Sequence, residues 1–190
     1  MRVVGGVLKG RVLKAPKGSR VRPTSDRARE SIFNILTNGK PAADLEDSIV
    51  LDVFAGTGAL GLEAISRGAG TALFLDNNGL SLALVKENAV SLGVFKQCQT
   101  LKVDITRLGA PPRMLPEPAD IAFLDPPYEL GLAAPTLLSL SRFAWLKPGA
   151  IVVVETEVST PFDVPFGYTL LDNRTYGAAQ VSFLRIGGAE

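Results

Sequence analysis

The chain has 190 residues, 46% of them apolar and 21% charged, which suits one globular domain with a sizeable core. A single cysteine, Cys98, excludes an internal disulfide and a cysteine-rich metal centre, and the absence of histidine excludes a Ser-His-Asp triad, a Cys-His dyad and His-ligated metals. The net charge of +1 conceals an asymmetry: residues 1–40 hold ten basic residues against Asp26 and Glu30 alone, while residues 41–190 hold ten basic and seventeen acidic residues.

That asymmetry divides the chain into a basic extension over 1–40 and a larger domain over 41–190. A basic arm suits a polyanion, because Lys and Arg displace counterions from phosphates. Lys9, Arg11, Lys14, Lys17, Arg20, Arg22 and Arg29 are the candidate contacts. No apolar run approaches the roughly 20 residues of a membrane helix, and no signal peptide follows Arg2. The expected location is the cytoplasm, and the expected state is a monomer without metal.

In chain order, Arg2–Leu13 reads as a small β-hairpin broken by Gly5, Gly6 and Gly10. Residues 16–23 form a basic loop. Thr24 or Ser25 caps a helix starting near Asp26, with Ala28, Ile32, Ile35 and Leu36 on one face. After Pro41 strands and helices alternate. Strands are expected at Ser48–Phe54, Thr71–Leu75, Cys98–Val103, Ile121–Leu124 and Ala150–Glu155. Helices are expected at Ala59–Arg67, Leu80–Leu92 and Leu130–Phe143. Tyr168–Asn173 and Gln180–Ile186 close the fold as an antiparallel pair. The alternation predicts an α/β, largely parallel sheet covered on both faces.

Gly56, Gly58 and Gly61 spell G-x-G-x-x-G between a buried strand and a helix, the context that gives the motif meaning. Asp76 lies twenty residues after Gly56, where a carboxylate can accept ribose hydroxyls. These residues alone fit either a dinucleotide or S-adenosylmethionine. Asp52 tilts the reading to the latter, since a carboxylate there can face its ammonium group. Asp52 can equally bond local amides, and Gly61 can simply pack helix on strand.

A second strand delivers Asp125-Pro126-Pro127-Tyr128 to the same sheet edge. The prolines stiffen the loop, Asp125 and a proline carbonyl supply acceptors, and Tyr128 offers a stacking face. Such a set suits a planar exocyclic amine, a poor nucleophile: acceptors for its N–H bonds can orient the nitrogen and make it more tetrahedral as a methyl group arrives. Cys98 reads as an inert buried thiol and Trp145 as packing for the Lys147-Pro148-Gly149 turn. Tyr176 suits either the base pocket or its own turn.

The chain resembles the RsmD-type bacterial methyltransferases of small-subunit ribosomal RNA. The resemblance runs through Gly5-Gly6, Lys9-Gly10-Arg11, Pro16-Lys17-Gly18, Arg22–Leu36, Leu51–Ala64, Asp125–Tyr128 and Tyr176-Gly177; Arg22–Leu36 is its most specific part. It implies a Rossmann-like class I fold with seven strands, the last antiparallel, and transfer of methyl from S-adenosylmethionine to guanine N2. It implies that Asp52, Phe54, Ala55, Gly56, Thr57 and Gly58 hold the methionine part. It implies Asp76 and Asn77 at the ribose and Asp104 near the adenine. It further implies Thr24 and Arg27 beside the cofactor, and Asp125, Pro126, Pro127 and Tyr128 at the target base. The family carries Glu at the position of Asp76. The implied substrate is partly assembled small subunit. The competing readings are a DNA adenine-N6 or cytosine-N4 methyltransferase, a Rossmann dehydrogenase and a non-catalytic RNA-binding assembly factor.

Overall fold

The computed structural model describes residues 1–15, 26–127 and 130–187. Thr24, Lys17, Arg20, Arg22 and Tyr128 lie outside these residues. The described residues build α1 (Asp26–Asn38), β1 (Ile49–Val53), α2 (Ala59–Ser66), β2 (Thr71–Asp76), α3 (Gly79–Leu92), β3 (Cys98–Lys102), β4 (Ala119–Leu124), α4 (Ala133–Arg142), β5 (Leu146–Glu157), β6 (Tyr168–Tyr176) and β7 (Ala179–Ile186).

The seven strands form one sheet in the order β3-β2-β1-β4-β5-β7-β6. The β1–β2, β2–β3, β1–β4 and β4–β5 pairs are parallel, and β7 runs antiparallel to β5 and β6. The chain starts in the centre, winds outward to β3, then returns to lay β4 on the free edge of β1. Strand order therefore reverses between β1 and β4. Ligands of open α/β sheets bind at that reversal, beyond the carboxyl ends of the strands.

Both faces of the sheet are apolar because both are covered. Val50, Phe74, Phe123, Val153 and Phe183 face α1, α2 and α3, and Val3 and Leu13 of the extension join that core. Leu51, Leu73, Leu75, Ala122 and Val152 face α4, Trp145 and the 105–115 loop. Phe33 of α1 packs on Phe123 with ring centroids 5.3 Å apart and the rings tilted by 43°. Trp145 is buried in the core, and its indole N–H donates to the Gly109 carbonyl at 2.8 Å; residues 147–149 belong to β5 rather than to the expected turn, so Trp145 braces the loop around Gly109 instead. Pro135 sits in the first turn of α4, where a missing N–H breaks no helical bond.

The extension turns back on itself as expected, with one antiparallel bridge, Arg2 to Val12, among the described residues. The Val3 N–H donates to the Arg11 carbonyl at 2.9 Å, the Gly10 N–H to the Val3 carbonyl at 2.9 Å and the Leu13 N–H to the Met1 carbonyl at 3.0 Å. Other amides of the same arm dock it on α2. Val4 N–H donates to Glu63 Oε2 at 2.8 Å, Val7 N–H to the Ser66 carbonyl at 2.7 Å, and Leu8 N–H to Ser66 Oγ at 2.9 Å. One set of amides thus pairs the arm with itself, and a second set docks it on α2.

Candidate active site

The sheet's reversal is lined by acids at or near the carboxyl ends of apolar strands. β1 places Asp52 beneath the glycine loop. The loop turns through Phe54 (φ 66°), Gly56 (φ 53°) and Gly58 (φ 76°), and Gly58 begins α2. A left-handed phenylalanine is uncommon and marks a backbone held by its surroundings. The Ala55 N–H donates to the Leu75 carbonyl at 3.0 Å, and the Gly58 N–H to the Ala55 carbonyl at 2.7 Å. A Cβ on Gly56 would meet only the Phe54 carbonyl oxygen, at 3.9 Å, so the loop's upper side is open to a ligand. A Cβ on Gly61 would stand 2.4 Å from Phe74 Cε1, so Gly61 serves helix–strand packing.

Asp52 is 2% exposed, and its Oδ2 accepts the Gly61 N–H at 2.8 Å. It thus bonds a local amide in this structure. Burial pushes its carboxyl up to about 7, against the pull of the Gly61 amide and with the nearby Asp76 charge adding to the rise. Asp76 ends β2. Its Oδ2 accepts the Gly56 N–H at 3.0 Å and its Oδ1 the Asn78 N–H at 2.8 Å, so it braces the loop from the adjoining strand. Asn77 beside it is exposed. Asp104, after β3, accepts the Thr106 hydroxyl at 2.7 Å and amide at 3.0 Å. Those bonds hold its carboxyl below the usual range.

Asp125 follows the last residue of β4, and its N–H reaches the Val53 carbonyl at 3.4 Å. Leu124 pairs in register with Val154 of β5, so the next residues, Asp125 and Glu155, are neighbours on one face. Asp52 shares that face. Burial, then the Glu155 and Asp52 charges, push the Asp125 carboxyl well above the usual range. Pro126 is buried and Pro127 exposed, and the Pro127 carbonyl accepts the Leu130 N–H at 3.3 Å. Three acids thus gather at the reversal, and two have carboxyls raised by low dielectric and like charge. That environment favours a cationic ligand.

The basic arm divides. Lys9 and Arg27 are exposed. Arg11 is exposed and donates to the Ser91 carbonyl at 2.6 Å, and Lys14 pairs with Glu87 at 3.1 Å, still largely in solvent. Arg29 is the correction. It is 1% exposed, pairs with Asp26 at 2.8 Å, lies 3.9 Å from Glu63 and donates to the Arg2 carbonyl. Two carboxylates and a carbonyl draw its guanidinium into the α1–α2 interface, away from any phosphate. Tyr176 meets Ser31 through their hydroxyls at 2.6 Å, tying the β6–β7 turn to α1. Burial pushes the Cys98 thiol up to about 12, which keeps it inert.

Glu155, Glu63 and Asn88 are missing from the sequence-derived set. Glu155 had a readable signal. Like Asp52, Asp76 and Asp125, it is an acid near the carboxyl end of an apolar strand. Glu63 and Asn88 had none, because their helices place them opposite the extension only in three dimensions.

A doubly wound sheet that reverses beside such a loop, and closes with an antiparallel pair, is the fold of the class I S-adenosylmethionine-dependent methyltransferases. The family profile described as conserved hypothetical protein 95 matches residues 1–185, and the chain belongs to that family. It is 36% identical over 189 residues to the ribosomal RNA small subunit methyltransferase D of Escherichia coli K12, covering 96% of this chain and 87% of that one. It is 34% identical over 178 residues to the protein of the same name from Haemophilus influenzae, covering 93% and 89%. The solved structure of Escherichia coli yhhF superposes with a TM-score of 0.81 at 30% identity, covering 98% of both chains. An RNA methyltransferase from Salinibacter ruber, solved with S-adenosylhomocysteine, shares the fold at a TM-score of 0.65 and 16% identity, covering 88% of this chain and 95% of that one.

The residues fit the cofactor. The open side of Gly56 leaves room for it, and the raised carboxyl of Asp52 suits a ligand bearing an ammonium and a sulfonium. Among the described residues, no group of three or more His, Cys, Asp or Glu side chains could hold a metal ion, and no helix is long and apolar enough to cross a membrane.

Proposed function

We propose that the protein is an S-adenosylmethionine-dependent ribosomal RNA methyltransferase that modifies the exocyclic N2 amine of a guanine in small-subunit RNA. One observation carries this reading. Asp125 and the proline pair stand at the carboxyl end of β4, next to the strand that feeds the glycine loop. The names of the relatives support ribosomal RNA as the substrate class.

The mechanism follows from what each group can do. The bound cofactor supplies a methyl group on a positively charged sulfur, an excellent leaving group. Asp52 would hold the cofactor's ammonium, and Gly56 and Gly58 would let the backbone approach its methionine part closely. Asp76 stands at the ribose and holds the Gly56 amide. The target amine's lone pair is delocalised into its ring, so it needs orientation. Asp125 and the Pro126 carbonyl accept its N–H bonds, and Tyr128 stacks on the base. These acceptors favour the pyramidal nitrogen as the new bond forms, and Asp125 is placed to take the proton released. With a cationic cofactor bound nearby, Asp125 would be held in its ionised, accepting form.

Base access requires an unpaired or flipped nucleotide. Lys9, Arg11 and Lys14 supply phosphate contacts that hold the RNA against this edge. The substrate form in this reading is the partly assembled small subunit, met by a cytoplasmic monomer made of a basic extension and a methyltransferase domain. The test is transfer of labelled methyl to subunits lacking the modification, to their naked RNA and to duplex DNA, followed by nucleoside analysis. Label in N2-methylguanosine supports the reading. Label in adenine or cytosine of DNA refutes it.

A further inference from the structure

Asn88 occupies an unusual position for a polar side chain. It lies in the middle of α3, is 1% exposed, and its amide makes three bonds to backbone. Its Oδ1 accepts the Lys14 N–H at 2.8 Å. Its Nδ2 donates to the Lys14 carbonyl at 3.2 Å and to the Thr57 carbonyl at 3.1 Å. One donor on one side and two acceptors on the other fix the amide's orientation, since a flipped amide would oppose like groups. The side chain therefore pairs with Lys14 as a strand would, while its second N–H holds the glycine loop.

The two partners belong to different functions. Thr57 stands between Gly56 and Gly58, in the loop proposed to hold the cofactor. Lys14 belongs to the basic extension, together with Lys9 and Arg11. Other bonds join the same parts. The Thr57 hydroxyl lies 3.6 Å from Met1 Sδ, and Ser66 Oγ donates to the Gly5 carbonyl at 2.6 Å from the helix that the loop begins. Asn88 is the one described side chain that bonds the loop and the extension at once.

We propose that Asn88 is a positioning residue that couples the methyl-donor loop to the nucleic-acid-binding arm, so that cofactor and RNA each tighten the binding of the other. The inference rests on the RNA methyltransferase reading. A ligand that fixes the Thr57 carbonyl also fixes the amide that holds Lys14. The arm that carries Lys9, Arg11 and Lys14 is then already held against α3 when RNA arrives, so RNA meets a pre-positioned set of cations. Linkage requires the converse to the same degree.

The experiment is a binding cycle. Co-sedimentation of the protein with small ribosomal subunits lacking the modification, the form of the RNA proposed as substrate, is measured with and without saturating S-adenosylhomocysteine, which binds without turnover. The coupling factor is the ratio of the two dissociation constants. Wild type should show a factor of about five or more, within the usual range of binding coupling. Asn88→Ala should bring it towards one. Lys14→Pro deletes the N–H that Asn88 accepts and leaves the α3 core untouched, so it tests the link if Asn88→Ala does not fold. Lys14→Gln removes the charge but keeps both backbone bonds. It should weaken RNA binding equally with and without S-adenosylhomocysteine, leaving the factor intact.

A purely structural Asn88 would lower both affinities without changing their ratio. A wild-type factor of one, or an unchanged factor in Lys14→Pro, overturns the proposal. If wild type binds S-adenosylhomocysteine but no RNA under either condition, the RNA methyltransferase reading falls with it. If both bind without coupling, the inference alone falls.

Discussion

The Asp52 carboxylate accepts the Gly61 N–H at 2.8 Å, which pins the first turn of α2 to the end of β1. The same carboxylate lies beneath the loop proposed to hold the cofactor's ammonium. One oxygen builds the site and the other is available to the ligand. Asp52→Asn keeps an acceptor for Gly61 and removes the charge. The expected result is a folded protein whose affinity for S-adenosylmethionine falls about 10- to 100-fold, the scale of one charge-assisted hydrogen bond. Titration calorimetry with circular dichroism as a folding control checks it.

The raised carboxyl of Asp52 also makes stability depend on pH. Its folded value of about 7 exceeds the ordinary 3.8, so the folded state binds the proton more tightly. That contribution is present at low pH and is lost as pH rises from about 4 through about 7. The full span is on the order of 4 kcal/mol. Without cofactor, Asp52→Asn should therefore raise the melting temperature more at pH 8 than at pH 5. The cofactor's cation favours the ionised form, so its binding should release protons near pH 7. Calorimetry in buffers of different ionisation enthalpy measures that release.

Asp125 should separate chemistry from binding. Asp125→Ala removes an acceptor that faces the amine and leaves the glycine loop intact. Methyl transfer should fall roughly 100- to 1,000-fold in kcat, the scale of one lost preorganised partner, with S-adenosylmethionine still bound. Single-turnover kinetics beside calorimetry distinguish the two effects.

Arg29 and Lys9 should behave oppositely, although both are basic residues of the extension. Arg29→Ala strips a buried guanidinium from Asp26 and Glu63, and should cost about 3–5 kcal/mol of stability. Lys9→Gln should leave melting unchanged and reduce the salt dependence of RNA binding by about one phosphate contact. Chemical denaturation and salt titrations of affinity test the pair.

The contrast between Arg29 and Lys9 also shows what local sequence carries. The sheet was readable because its signals are local: apolar runs, a glycine loop and acids at the strand ends. Asp52, Asp76 and Asp125 come together at the reversal because each lies near the carboxyl end of such a run. Arg29 misled because its sequence neighbours give only Asp26, whereas Glu63, 34 positions away, completes its burial. Glu155 was within reach of the strand-end pattern. Asn88 was not, because nothing near it in sequence reveals Lys14 and Thr57.

The most direct measurement is the identity of the methylated nucleoside. Small ribosomal subunits lacking the modification are incubated with the protein and labelled S-adenosylmethionine, and their RNA is digested to nucleosides. The account predicts label in N2-methylguanosine, abolished by Asp125→Ala. Label in any other nucleoside, or none despite bound S-adenosylmethionine, would contradict it.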